Sequence, residues 1–149
     1  MAELSTTRPA VVAVLASPEA CERVSAIPGA CPVSPVEVAI VGDASITALR
    51  RAVERVDPDA VVRDVSDGWV LHTIEGAGAR EAFARLSELE LPATGFAQGQ
   101  VARVGVRVSV NGDRVDLLVP SMLAAHVRER IEDESRELLT MARPKGAAR

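Results

Sequence analysis

The sequence predicts an α+β fold: a single two-layer domain in which helices pack on a mostly antiparallel sheet. Three observations carry that prediction. Short apolar runs suited to buried strands alternate with segments whose apolar residues recur at helical spacing. Tight-turn signals at Ser66-Asp67-Gly68 and Asn111-Gly112 join neighbouring strand-like runs and favour antiparallel pairing. The chain has 149 residues, 48% of them hydrophobic, enough for one ordinary core and too few for two comfortable ones.

The elements follow in order. The polar N-terminus, residues 1–9, is expected to be flexible, and the ordered domain spans residues 10–141. Ala10 to Leu15 is a continuous apolar run, read as a buried strand. Ser17-Pro18-Glu19 then gives a helix start, with Ser as N-cap, Pro at the first helical position and an acid in the first turn. That helix turns Cys21, Val24 and Ile27 inward and stops at Pro28-Gly29. Residues 28–35, rich in proline, read as a loop. Val36 to Val41 is the next strand, and Asp43 is placed to cap a helix carrying Ile46, Leu49, Val53 and Val56 on one face.

Val61–Val65 and Trp69–Ile74 read as two strands joined at Ser66-Asp67-Gly68, where Gly68 offers a positive φ. Gly76-Ala77-Gly78 leads into a helix with Ala79, Ala82, Phe83 and Leu86 inward. Residues 90–99 read as a loop. The alternating segment Val101–Val110 then pairs through Asn111-Gly112 with Val115–Val119. After Pro120-Ser121 comes a last helix with Leu123, Val127, Ile131 and Leu138 as its stripe. The polar tail, 142–149, is expected to be flexible.

Composition excludes several functions. Trp69, Phe83 and Phe96 are the only aromatics, so the chain lacks the stacking platforms that single-stranded nucleic acids need. A net charge of −4 and scattered basic residues supply no stripe for phosphates. Cys21 and Cys31 fit no zinc or redox spacing and read as small buried hydrophobes. No apolar run reaches the roughly 20 residues of a membrane span, and no secretory leader is read at the N-terminus, so a bacterial-type cytoplasmic location is expected.

Candidate chemistry is sparse. His72 and His126 each stand without a neighbouring ligand or paired carboxylate, which favours ordinary strand and helix histidines over acid–base catalysts. Asp64, Ser66 and Asp67 group three acceptors, for which a side-chain-bonded turn is commoner than a metal or base site. Gly76 and Gly78 precede a helix, where backbone N–H groups can meet an anion; a tight strand-to-helix turn explains them as well. Trp69 follows a turn and serves either as a core anchor or as an interface contact.

The stretch Val62-Arg63-Asp64-Val65-Ser66-Asp67-Gly68, followed by Gly76-Ala77-Gly78-Ala79-Arg80-Glu81, resembles the folate-binding aminomethyltransferase superfamily. Within it the chain is most similar to the gamma subunit of heterotetrameric sarcosine oxidase. Leu91–Gln100, Val101–Val110 and Leu117–Ala124 fit that subunit in the same order, so the resemblance covers about residues 36–131. Catalytic relatives place an acid in the strand matching Val101–Val110, and none stands there. The closing helix also departs from the gamma pattern, being rich in Arg and Glu and without aromatics.

The resemblance therefore implies a folate-binding-like fold without the chemistry. It points to a non-catalytic accessory subunit of a flavin-dependent amine oxidase or one-carbon complex. Larger flavoprotein and folate-binding subunits would be its partners. Flavin and tetrahydrofolate would belong to those partners, with no cofactor bound by this chain alone. Trp69 and Phe96 are the candidate interface residues, and Asp64, Gly76 and Gly78 would mark a remnant folate pocket. The alternatives are a stand-alone folate-like binder and a small enzyme using His72 or His126.

Overall fold

The alternating strand and helix signals fold into ten strands and four α-helices in a computed structural model that describes residues 1–141. The expected flexible tail, 142–149, lies outside the described residues. The α+β class with mostly antiparallel sheets and packed helices is as read from the sequence. The chain divides into two compact units, Arg8–Trp69 and Met1–Thr7 with Val70 onward. Each has its own sheet and its own apolar cluster.

The chain begins with β1 (Ala2–Thr7), which belongs to the discontinuous unit. Arg8–Trp69 then forms β2 (Val11–Leu15), α1 (Pro18–Val24), β3 (Ala30–Ser34), β4 (Glu37–Val41), α2 (Ile46–Glu54) and β5 (Val61–Asp64). Its sheet order, β3-β4-β2-β5, is the split βαβ pattern, all antiparallel at the pairs β2–β4, β2–β5 and β3–β4. Val12 and Val14 of β2, Val38 and Ile40 of β4 and Val62 of β5 meet Ala20, Cys21 and Val24 of α1 and Leu49 and Val53 of α2. Ser17 caps α1 as expected, its Oγ accepting from Ala20 N–H at 3.3 Å.

Two readings are corrected in this unit. Residues 30–34 are a strand, not a loop. β3 lies at the sheet edge, where prolines are tolerated because one side of the strand needs no ladder donor. The cap of α2 is Ser45, whose Oγ accepts from Ala48 N–H at 3.2 Å, and not Asp43. The helix starts two residues later than its acid suggested.

The other unit adds β6 (Trp69–Glu75), α3 (Ala79–Ala84), β7 (Thr94–Val101), β8 (Val104–Asn111), β9 (Arg114–Pro120), α4 (Ala124–Ser135) and β10 (Leu139–Met141). Its sheet runs β10-β1-β6-β9-β8-β7. Leu4, Ile74, Val106, Val108, Leu117 and Val119 on one face pack with Phe83 of α3 and Val127 and Ile131 of α4.

Three further readings change here. Residues 2–7 are a strand, with Ala2 and Leu4 fully buried, because alternation in AELSTT puts just those two apolar side chains on the core face. Residues 94–101 are a strand paired along its length with β8. The turn between them is Ala102-Arg103, with φ of +50° and +65°, a two-residue hairpin lacking the usual glycine. Last, β5 and β6 are not a hairpin. They lie in different sheets, and Ser66–Gly68 is a 3₁₀ turn in which Gly68 keeps a negative φ.

Candidate functional site

His72 and Thr73 are adjacent on β6, so strand alternation sends them to opposite faces of one sheet. Both are buried polar residues, and both are satisfied. The His72 Nε2 lies 2.8 Å from the Ala124 carbonyl, which only accepts, so Nε2 carries the proton. Nδ1 is then an acceptor, and it takes the Thr6 hydroxyl at 2.8 Å. Arg128 Nη1 in turn donates to Thr6 Oγ1, and Arg128 Nε donates to Glu132 Oε1 at 2.8 Å. Four side chains from β1, β6 and α4 thus form one chain that runs from the surface to a buried imidazole. Burial is the main cause that holds the His72 pKa below its usual value, and Arg128 adds to it.

On the opposite face, Thr73 donates to Asp116 Oδ1 at 2.6 Å. Arg114 Nε meets both oxygens of Asp116 at 3.2 Å and its guanidinium also pairs with Glu75 at 3.6 Å. This cluster is half exposed and each of its charges has a partner.

The sequence-marked residues take separate places. Asp64 ends β5, and its carboxylate accepts from the Ser66 backbone at 2.9 Å and from the Ser66 hydroxyl at 2.6 Å. Those bonds hold its carboxyl below the ordinary pKa of an aspartate. Ser66 Oγ also accepts from Val11 N–H at 2.8 Å, so the Asp-x-Ser motif ties the end of β5 to the start of β2.

Gly76 and Gly78 stand in the other unit. Gly76 has φ +116° and a Cβ there would lie 3.1 Å from the Met1 carbonyl oxygen. Gly78, at φ +92°, opens the six-residue α3. Each of the three residues has a local structural duty, and none of these observations builds a folate pocket. Among the candidate interface residues, Trp69 is half-buried at the start of β6. Phe96 is half-buried on β7, which is the edge of its sheet. It stands opposite Ser109 of β8, on the face turned from the helices. His126 is exposed on α4.

Two shallow grooves were not legible in the sequence. One, of about 430 Å³, is lined by Leu86, Ser87, Leu89, Gly99, Ala102 and Arg103 among others. Its floor is tight: a Cβ on Gly99 would lie 3.1 Å from Leu89 Cδ2, and Ser87 Oγ donates to Gln100 O at 2.7 Å. The other, of about 390 Å³, lies by Pro18, Cys21, Ser25 and Pro32. Burial pushes the Cys21 thiol pKa up, which removes it as a ready nucleophile. Among the described residues no His, Cys, Asp and Glu side chains gather as a metal site, and no helix is long and apolar enough to cross a membrane.

No family model and no curated protein matches the sequence. Solved structures do match the fold. The chain superposes on a chain of heterotetrameric sarcosine oxidase from Corynebacterium sp. U-96, in complex with pyrrole 2-carboxylate, with a TM-score of 0.78 and 13% identity. The match covers 96% of this chain and 88% of that one, so the two are of similar length. The regulatory subunit of aspartate kinase from Thermus thermophilus, in its ligand-free form, matches with a TM-score of 0.50 and 12% identity, over 88% and 95% of the chains. Aspartate kinase from Synechocystis gives a TM-score of 0.53 at 11% identity, over 97% of this chain and 28% of the kinase. At such identities these likenesses establish fold.

Proposed function

We propose that this chain is a non-catalytic accessory subunit of a flavin-dependent amine oxidase or one-carbon complex of the sarcosine oxidase type. The single observation that carries the reading is the near-complete, two-way overlap with a chain of that heterotetrameric enzyme. In this reading the chain's work is assembly, and its reactive side chains are for the most part already engaged or buried. Its buried imidazole has both ring nitrogens occupied, its other histidine stands exposed on a helix, and its thiols are buried. In this reading flavin and tetrahydrofolate belong to larger partner subunits in a bacterial cytoplasm, and Trp69 and Phe96 contribute to the face that docks.

The test is an affinity pull-down of the tagged chain from its native cells, with the eluate scanned for flavin absorbance. A yellow complex containing larger subunits is the expected result, and Phe96→Asp should reduce its yield. A colourless chain recovered alone, from cells that make an active oxidase, overturns the proposal.

A second reading is small-ligand binding. It draws on the fold likeness to an aspartate kinase regulatory subunit and on the groove beside Ala102 and Arg103. Titration of a folate or of free amino acids, followed by Trp69 fluorescence, distinguishes it. A saturable response in the isolated chain favours this reading, and a flat one at millimolar ligand removes it.

A further inference from the structure

The chain from Glu132 to the Ala124 carbonyl joins three elements through one titratable group. We propose that His72, Thr6 and Arg128 form a pH-sensitive latch that fastens β1 to β6 and α4, and that it opens when the imidazole takes up a second proton.

The argument rests on donor and acceptor roles. The Ala124 carbonyl fixes the ring proton on Nε2, and the Thr6 hydroxyl proton points to Nδ1 because Arg128 already donates to the Thr6 oxygen. Thr6 Oγ1 accepts from Arg128 and donates to Nδ1, so the line has one direction. A proton added at Nδ1 faces the Thr6 hydroxyl proton head-on. If the hydroxyl rotates away, its oxygen must accept from an imidazolium and a guanidinium at once, while the exposed Thr6 side chain turns its own proton to solvent.

The charged surroundings do not relieve this. From α4 the ring feels Arg128, which opposes the proton, and Glu132, which favours it but is already engaged by Arg128. On β1 only Thr6 faces the ring; Glu3 pairs in register with Glu75, on the other face of the sheet. On β9, Arg114 and Asp116 bond with Thr73 and Glu75 on that same other face. Thus, among the described residues, no free carboxylate faces the imidazole to stabilise its charge. The low pKa that burial gives His72 agrees with the geometry.

Opening the latch has a defined consequence. Strand β1 is six residues long, pairs with β6 from Glu3 to Thr7, and has two fully buried apolar side chains, Ala2 and Leu4, so the latch adds a side-chain fastening at the Thr6 end of that ladder. The short strand β10 pairs with β1 in parallel and would loosen with it. Acid therefore releases one edge of the six-stranded sheet while β6 to β9 keep their core.

Amide hydrogen exchange of the full chain, corrected for intrinsic rates, tests this together with nitrogen NMR of the His72 ring. At about pH 7.5 the ring should be the Nε2–H tautomer, with β1 amides protected; toward about pH 5 ring protonation and loss of protection should coincide, the loss being on the order of tenfold. Amides of β8 should change little. His72→Gln keeps a donor toward Ala124 and an acceptor toward Thr6 but cannot titrate, so its β1 protection should lose the step. His126→Gln should keep the step. Protection in the wild type that is unchanged over this range, or that falls while the His72 ring stays neutral, overturns the latch whether or not the variants fold.

Discussion

Replacing Gly29 by Ala tests how the β3–β4 pair is closed. Gly29 has φ +85°, and an ideal Cβ there would lie 2.1 Å from the Val41 carbonyl oxygen and 3.2 Å from its carbon. Contacts below 3.0 Å are essentially never seen, so one strand end must move by about 1 Å. The Gly29 carbonyl also accepts from Val41 N–H at 3.0 Å, and that bond sits at the point of displacement. The left-handed backbone costs about 1–2 kcal/mol for a residue with a Cβ. The strained or lost hydrogen bond adds about 0.5–1.5 kcal/mol. Forced backbone shifts add about 1–3 kcal/mol. The sum is roughly 4 kcal/mol, a large share of the roughly 5–15 kcal/mol that keeps a domain folded.

Gly42→Ala is the matched control, because Gly42 has φ +126° with nothing within 4 Å of its Cβ position. It should lose only the conformational share, about 1–3 kcal/mol. Urea unfolding followed by circular dichroism measures both variants. Equal losses at the two sites would refute the steric reasoning.

Four further outcomes follow from the same structure. Leu4→Ala should cost about 3–5 kcal/mol in urea unfolding, the range for a fully buried leucine, whereas a flexible N-terminus would give almost none. Ser45→Ala should cost about 1 kcal/mol and Asp43→Ala far less, since the serine caps α2. Arg103→Gly should stabilise by roughly 0.5–1 kcal/mol, the relief of a left-handed arginine less the entropy cost of glycine; a loss of stability would refute that account of the turn. The folded pKa of His72 is below its unfolded value near 6.5, so its stabilising share is complete above that pH and is lost as acid is added below it. Unfolding midpoints across that window should fall in the wild type and fall less in His72→Gln.

Where the sequence was legible, one local signal sufficed. Ser17-Pro18-Glu19 began a helix, Val12, Val14 and the β4 valine and isoleucine filled a core, and Asn111-Gly112 closed a hairpin. The failures share a cause: the deciding partner was distant in sequence. Thr94–Val101 has two glycines and little alternation, and only its register with β8 makes it a strand. The Ser66–Gly68 turn looks like a hairpin loop because nothing local shows that β5 and β6 go to different sheets. The candidate residues behaved likewise. Asp64 and Ser66 could be read as a turn from their spacing, but the bond from Val11 N–H could not. His72 looked solitary because its partners Thr6 and Ala124 are 66 and 52 residues away.

That distance explains why polar groups sit where Val or Leu would pack more cheaply. A strand joined to its neighbour by a two-residue turn has its register set by the turn. Strand β1 has no such help, because the whole Arg8–Trp69 unit lies between it and β6 in the chain. Its apolar content is too low to reject a slip by itself: Leu4 is its only large buried side chain. A slip of one residue would turn Leu4 to the other face and carry Thr6 away from Nδ1, leaving the buried imidazole and Arg128 without their shared hydroxyl. The penalty for an unpaired buried group thus falls on the wrong register alone. His72 supplies to β1 the specificity that a tight turn supplies elsewhere in the sheet, and its titratable ring makes that specificity depend on pH.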